Sequence, residues 1–283
     1  MWPLYVLFNK AFGTEEDRIP EREHSNFFES FLREQPSIKE KSFGSVLRRS
    51  HFVEVPLINQ LYSWDCGLAC ILMVFRTVGI NSHNINSLTK LCCTTSIWTV
   101  DLAYILQKFS ISFSYYTVTF GVNPNYSVET FYKEQLPNDL VRVDMLFKKS
   151  LEAGINIQCR SFSREEICLL IVSGKYIAIA LVDQHKLSRS WLKDVFMTDF
   201  NDSNSNYTGH YVIICGYDTL TDEFEIRDPA STSKHVRISS HCLEEARKSF
   251  GTDEDLLLIS LEKSEKELIS PSTQLSSQNK IGS

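Results

Sequence analysis

Apolar residues recur at two different spacings along this chain, and the change from one to the other divides it. Leu68, Ile71, Leu72 and Phe75 follow at three- and four-residue intervals, which predicts a helix over Cys66–Val78 with a buried face. Similar patterning predicts helices over Thr99–Phe109, Leu140–Ala153 and Ser163–Val172, the last opened by a Ser163-x-x-Glu166 capping box. A further helix is expected from about Cys242 to Phe250, stopping at Gly251. Strand-like runs fall at Ile111–Thr119, Ile155–Arg160, Tyr176–Val182, His210–Tyr217, Glu223–Arg227 and Leu256–Leu261. Helices fill the first half and strands gather in the second. The expected class is therefore α+β, an N-terminal helical half packed on a C-terminal antiparallel sheet.

The ends lose this periodicity. Gly13 to Ser50 is rich in charge and serine, so 1–50 reads as a mobile extension; from Lys263 the chain is again too polar for a fixed core, and 263–283 reads as a disordered tail. That leaves one domain over 51–262. The apolar opening, Met1 to Phe12, has no basic leader or small-residue cleavage site and is too short to span a bilayer, so no transmembrane segment is expected. Docking on the domain or disorder is favoured for it over contact with a membrane surface.

Charge and cysteine usage narrow the partners. A net charge of −6 without a long basic block argues against a nucleic-acid surface. The 8 cysteines form neither a disulfide framework nor a zinc-spaced cluster, which suits reduced thiols and a cytoplasmic location. Neither GxxxxGK[ST] nor GxGxxG occurs, so a nucleotide would have to bind in another way. The sequence names no protein partner.

The most informative stretch is Gln60-Leu-Tyr-Ser-Trp-Asp-Cys66. Asp65 is placed to cap the helix that follows, which puts Cys66 in the first turn, where unpaired N–H groups and the helix dipole favour a thiolate. Gln60 can offer a side-chain N–H to a developing oxyanion alongside the Cys66 backbone N–H. A buried cysteine is more often a small hydrophobe, and Cys70 fits that description.

Two further residues complete a constellation. The run His210 to Asp218, a short connection, and Glu223 to Ala230 resemble a β-hairpin carrying His210 and Asp228 to one end. Direct pairing of Asp218 with Glu223 would leave them on opposite faces, whereas a one-residue shift or a bulge would align them. Aligned, Cys66 is the nucleophile, His210 the base and later acid, and Asp228 the group that orients and stabilises the imidazolium. Singly, a histidine beside a loop is usually a surface residue, and an aspartate before proline usually a turn residue.

Other features carry less. Asp253 and Asp255, or Asp222 with Glu225, offer oxygen ligands for Mg²⁺, although short acidic runs are mostly solvated turns. Trp98 either lines a cleft or anchors the core, the second being commoner. The polar stretch Asp199–Gly209 reads as an exposed loop.

Six blocks together are familiar: Ser50 to Pro56, Asn59 to Cys70, Ser96 to Tyr104, Tyr207 to Tyr211, Glu225 to Ala230 and Ser249 to Asp255. Over roughly Ser50 to Leu261 they closely resemble the plant soluble guanylyl cyclases and the animal guanylyl cyclase domain-containing proteins, and the opening Met-Trp-Pro-Leu-Tyr resembles the plant branch. The resemblance implies conversion of GTP to cyclic GMP and pyrophosphate with Mg²⁺, with no heme or zinc expected. It also implies a papain-like cysteine-peptidase fold, distantly similar to the bacteriocin-processing peptidases, with Cys66, Gln60, His210 and Asp228 in the four roles given above. Resemblance puts GTP cyclisation first; the residues alone put a thiol hydrolase or acyl transferase first. A non-catalytic module that binds a peptide or partner in the same cleft is the third expectation.

Overall fold

Ten consecutive residues from Cys66 to Phe75 are buried, more than one face of a helix, because α1 (Cys66–Thr77) is covered on several sides. The structure, a computed structural model, describes residues 49–188 and 207–262. The expected tail and nearly all of the expected extension lie outside them, as do residues 199–206 of the polar loop.

After α1 come α2 (Ile85–Cys92) and α3 (Thr99–Lys108), then strand β2 (Phe113–Thr117), preceded near the start of the described chain by β1 (Ser50–Phe52). A 3-10 turn (Pro124–Val128), the short α4 (Thr130–Lys133) and α5 (Leu136–Lys149) lead to β3 (Ile157–Cys159) and α6 (Arg164–Val172). The remainder is β4 (Tyr176–Asp183), β5 (Gly209–Asp218), β6 (Glu223–Arg227), β7 (Val236–Ser239), α7 (Ser240–Arg247) and β8 (Leu256–Ser260).

The eight strands form one sheet in the order β3-β2-β8-β4-β5-β6-β7, with β1 paired to β5. β5 is long enough to pair with β4 through Gly209–Ile214 and with β1 through Gly216–Asp218. The sheet is mixed, a correction to the antiparallel expectation: β3 runs parallel to β2. Their connection passes through the 3-10 turn, α4 and α5, long enough to return the chain to the end it left. The main apolar cluster joins α1 and α3 to β4, β5 and β8 through residues such as Leu68, Leu102, Ile179, Ile213 and Leu257.

Several boundaries move for identifiable reasons. α5 begins at Leu136, four residues before the expected start, because Pro137 falls in the first turn, where the missing N–H removes no intrahelical bond. α7 begins at Ser240 because Ser239 caps it, accepting from the Cys242 N–H at 3.3 Å. The Ser163–Glu166 capping box is present as read. α2 was not foreseen; its reciprocal cap joins Asn84 to Ser87, a pairing outside the Glu/Gln pattern.

Candidate active site

One extra residue in β5 assembles the site. Asp218 pairs directly with Glu223, Tyr217 with Phe224 and Gly216 with Glu225, but the next pair is Ile214 with Ile226, leaving Cys215 bulged. Continued past Ile213 and Arg227, this register sets Asp228 across from Val212, two residues from His210 and hence on the same face. His210 Nε2 and Asp228 Oδ1 are 2.7 Å apart. The same carboxylate oxygen accepts the Ala230 N–H at 2.8 Å, which fixes its orientation.

Cys66 is the second group that acts on the imidazole, near enough to favour its charged form. Both groups are nearly enclosed: Cys66 is 5% exposed and His210 2%. Burial alone would lower the His210 pKa, but hydrogen bonding to Asp228 and Cys66, together with their negative charge, outweighs it and raises the imidazole to about 9. Asp228 moves the opposite way. Burial would raise its carboxyl, yet the bond to His210, that ring's charge and the Ala230 N–H hold it below its ordinary value.

Gln60 lies on the loop entering α1. Its backbone N–H donates to Pro229 O at 3.1 Å, and the Asn59 side chain donates to Pro229 O at 3.0 Å and Ser231 O at 2.7 Å. The amide-bearing loop is thus clipped to the turn that carries Asp228. The Gln60 Nε2 donates to Tyr62 O at 2.8 Å, while its Oε1 is buried without a hydrogen-bond partner. One N–H of the Nε2 group is therefore engaged by the loop, and a second remains on the same nitrogen.

Asp65 corrects an expectation. It precedes α1, but its side chain makes no cap; it is fully buried and accepts the N–H groups of Leu61 and Tyr62 at 3.0–3.3 Å. Folding back onto the loop leaves the first-turn N–H groups of α1 without that carboxylate as a cap. Sequence reading also missed Asn59 and Arg227. The buried Arg227 donates from Nε to Val55 O at 2.7 Å and from Nη1 to Glu225 at 2.6 Å, tying β6 to the irregular segment that approaches Gln60. Arg227 is the last residue of a strand whose Phe224 and Ile226 alternate with charged positions, so its burial had no local signal.

Asp253 and Asp255 do not join this site. Tyr126 donates to Asp253 and Tyr115 to Asp255, the latter at 3.1 Å, and both carboxyls are buried. Burial raises both pKa values, Asp255 well above its ordinary value with the Asp253 charge adding to the effect. Among the described residues no three His, Cys, Asp or Glu side chains gather to hold a metal. Two carboxyls pushed toward the neutral form and bonded to phenols do not fit Mg²⁺, which is bound through ionised oxygens. Glu225 likewise is occupied, by Arg227 and His235, and Asp222 by the Tyr217 hydroxyl. Trp98 is a core anchor: it is buried and its Nε1 donates to Asp139 at 3.0 Å.

The guanylylate cyclase family model matches residues 55–259. The chain belongs to this family. It is 59% identical over 266 residues to guanylyl cyclase 1 of Arabidopsis thaliana, covering 93% of this chain and 97% of that protein. Among solved structures it is similar to a putative C39-like peptidase from Bacillus anthracis, at 15% identity and TM-score 0.41 over 75% of this chain and 97% of that one. The peptidase domain of Streptococcus ComA is similar at 11% identity and TM-score 0.38, over 74% of this chain and all of that one. Xylellain, a cysteine protease from Xylella fastidiosa, gives 12% and 0.41 over 80% of this chain and 91% of that one. At these TM-scores the site stands on its own geometry. No described helix is long and apolar enough to cross a membrane.

Proposed function

We propose that Cys66, His210 and Asp228 act together as a nucleophilic triad that transfers or hydrolyses an acyl group. The observation that carries this reading is the buried His210–Asp228 pair, 2.7 Å apart, with Cys66 near enough to act on the same imidazole. The proton held by His210 leaves a thiolate, which attacks the acyl carbon; a C–S bond forms and the carbonyl electrons move onto oxygen. In this reading the second Gln60 N–H and the uncapped N-terminus of α1 are the donors to that oxyanion. When it collapses, the bond to the amine or alkoxide leaving group breaks, and that group departs with the His210 proton. Water or an acceptor amine then attacks the thioester, giving its proton to His210, and Cys66 is released.

Family membership favours a second reading, cyclisation of GTP to cyclic GMP and pyrophosphate, the activity named in the Arabidopsis relative. Its support is identity over nearly the whole chain. The described carboxylates do not supply the metal-holding set that phosphoryl transfer commonly uses.

One set of proteins separates the two. The parent chain, Cys66→Ser and Asp253→Asn are incubated with GTP and Mg²⁺, and cyclic GMP is measured. In parallel, iodoacetamide labelling of all eight cysteines is quantified by mass spectrometry. The triad reading expects preferential alkylation at Cys66, lost in His210→Ala. Cyclic GMP formed equally by Cys66→Ser would assign the cyclase activity to some other part of the chain, and even labelling of the exposed cysteines would remove the triad.

A further inference from the structure

Asp228, Pro229, Ala230 and Ser231 form one tight turn: the Ser231 N–H donates to Asp228 O at 3.0 Å, and Pro229 takes the second position, where its fixed φ suits the bend. The polar groups of this turn are shared between two parts of the site. The Ala230 N–H goes to Asp228 Oδ1, the oxygen that pairs with His210. The carbonyls of Pro229 and Ser231 go to Asn59, whose Nδ2 donates to them at 3.0 and 2.7 Å, and Pro229 O also accepts the Gln60 backbone N–H at 3.1 Å. Both hydrogens of the Asn59 amide are thereby committed to one turn, 170 and 172 residues along the chain.

We infer that Asn59 is a positioning residue for acyl transfer: through the Asp228–Ser231 turn it sets the Gln60 amide relative to the triad, and so acts on the oxyanion and not on the thiolate. This rests on the acyl-transfer reading above, with Gln60 as an oxyanion donor. Asn59 is exposed, and neutral hydrogen bonds at an exposed residue add little to stability; what two of them from one planar amide add is a fixed place and orientation for the residue next in the chain. That residue is Gln60, whose own side chain is held at its other end by Tyr62 O at 2.8 Å. Asp228 depends on Asn59 much less. Its carboxylate is oriented by the Ala230 N–H and its carbonyl by the Ser231 N–H, and neither bond involves the Gln60 loop. Removing the Asn59 amide therefore loosens the oxyanion donor and leaves the His210–Asp228 pair as it is.

Two reagents read this directly, because attack on p-nitrophenyl acetate develops an oxyanion and alkylation by iodoacetamide does not. The full chain, Asn59→Ala, Asn59→Asp, Gln60→Ala and the double variant Asn59→Ala/Gln60→Ala are treated with each, the rate at Cys66 is followed by mass spectrometry, and His210 is titrated by NMR. Asn59→Ala is expected to be acylated about tenfold more slowly than the parent, short of the roughly hundredfold cost of deleting a donor, because the Gln60 N–H still holds Pro229 O. Asn59→Asp has nearly the same shape but no N–H to give and a charge set against two carbonyl oxygens, so it is slowed at least as much. Alkylation of Cys66 and the His210 midpoint stay at their parent values in Asn59→Ala. In the Gln60→Ala background, Asn59→Ala has no further effect on acylation. Unchanged acylation in both Asn59 variants, an equal loss with both reagents, a shifted His210 midpoint in Asn59→Ala, or a tenfold effect that persists without the Gln60 amide overturns the positioning role while leaving the triad intact. Iodoacetamide spread evenly over the eight cysteines of the parent overturns the triad itself, and the positioning role with it.

Discussion

Replacing Asp228 by asparagine probes the physical basis of the site with little change of shape. The amide introduced by Asp228→Asn would keep an oxygen for the Ala230 N–H and for His210 Nε2, so what disappears is charge. His210 stands at about 9 against an ordinary 6.5, raised by Asp228 and Cys66 against a burial effect that pulls it down. That interval is worth roughly 3 kcal/mol in favour of the imidazolium, at about 1.4 kcal/mol for each pH unit. In folded-state stability the sign is definite. A histidine raised above its unfolded value contributes fully below about 6.5 and loses the contribution as pH rises through about 9. Asp228, lowered from 3.8, contributes above that value and loses it as pH falls through its own folded pKa. The ring protons of His210, followed by NMR from about pH 5 to 10, should therefore titrate near 9 in the parent. Asp228→Asn and Cys66→Ser should each bring the midpoint down, and the double variant, left with burial alone, should titrate below 6.5. A midpoint that stays near 9 in Asp228→Asn would refute the assignment of the shift and the pairing behind it.

Gln60→Ala should slow acylation of Cys66 by p-nitrophenyl acetate about a hundredfold, the usual cost of one oxyanion donor, with far less effect on iodoacetamide alkylation, which develops no oxyanion. Asp65→Ala strands the Leu61 and Tyr62 N–H groups and should cost about 2–3 kcal/mol in urea unfolding. Gly67→Ala would place a Cβ 3.0 Å from side-chain carbons of both Leu102 and Tyr211; about 1–2 kcal/mol of stability should be lost, with Cys66 alkylation slowed as the helix start shifts. Asp255→Asn should raise the thermal midpoint by a few degrees at about pH 8 and much less at about pH 4. A buried carboxyl whose pKa is raised stabilises only while protonated and loses that contribution as pH rises, and calorimetry at both values checks the sign.

Much of the scaffold was legible because period and composition are local properties. The run from Leu68 to Phe75, the Ser163–Glu166 box and the short apolar runs of the C-terminal strands each carry their structural instruction within a few residues. Short elements were not legible: β1 has three residues and β7 four, too few to establish a period, and both exist because β5 and β6 offer them an edge. Asp65 shows the limit differently. Its position suited a cap, but the choice between helix N–H groups and loop N–H groups depends on how the chain arrives at Cys66, which neighbouring residue types do not encode.

By itself the sequence determined the helix that begins at Cys66, the strands that bear His210 and Asp228, and the identity of the four chemical groups. Only the folded chain decided whether those groups meet. A single unpaired residue at Cys215 reverses which face Asp228 shares, and the Pro229 and Ser231 carbonyls hold the Gln60 loop from 170 residues away. Side-chain type is written locally, whereas strand register and loop docking are settled by the sum of contacts across the sheet, and these pair the His210 imidazole with the Asp228 carboxylate.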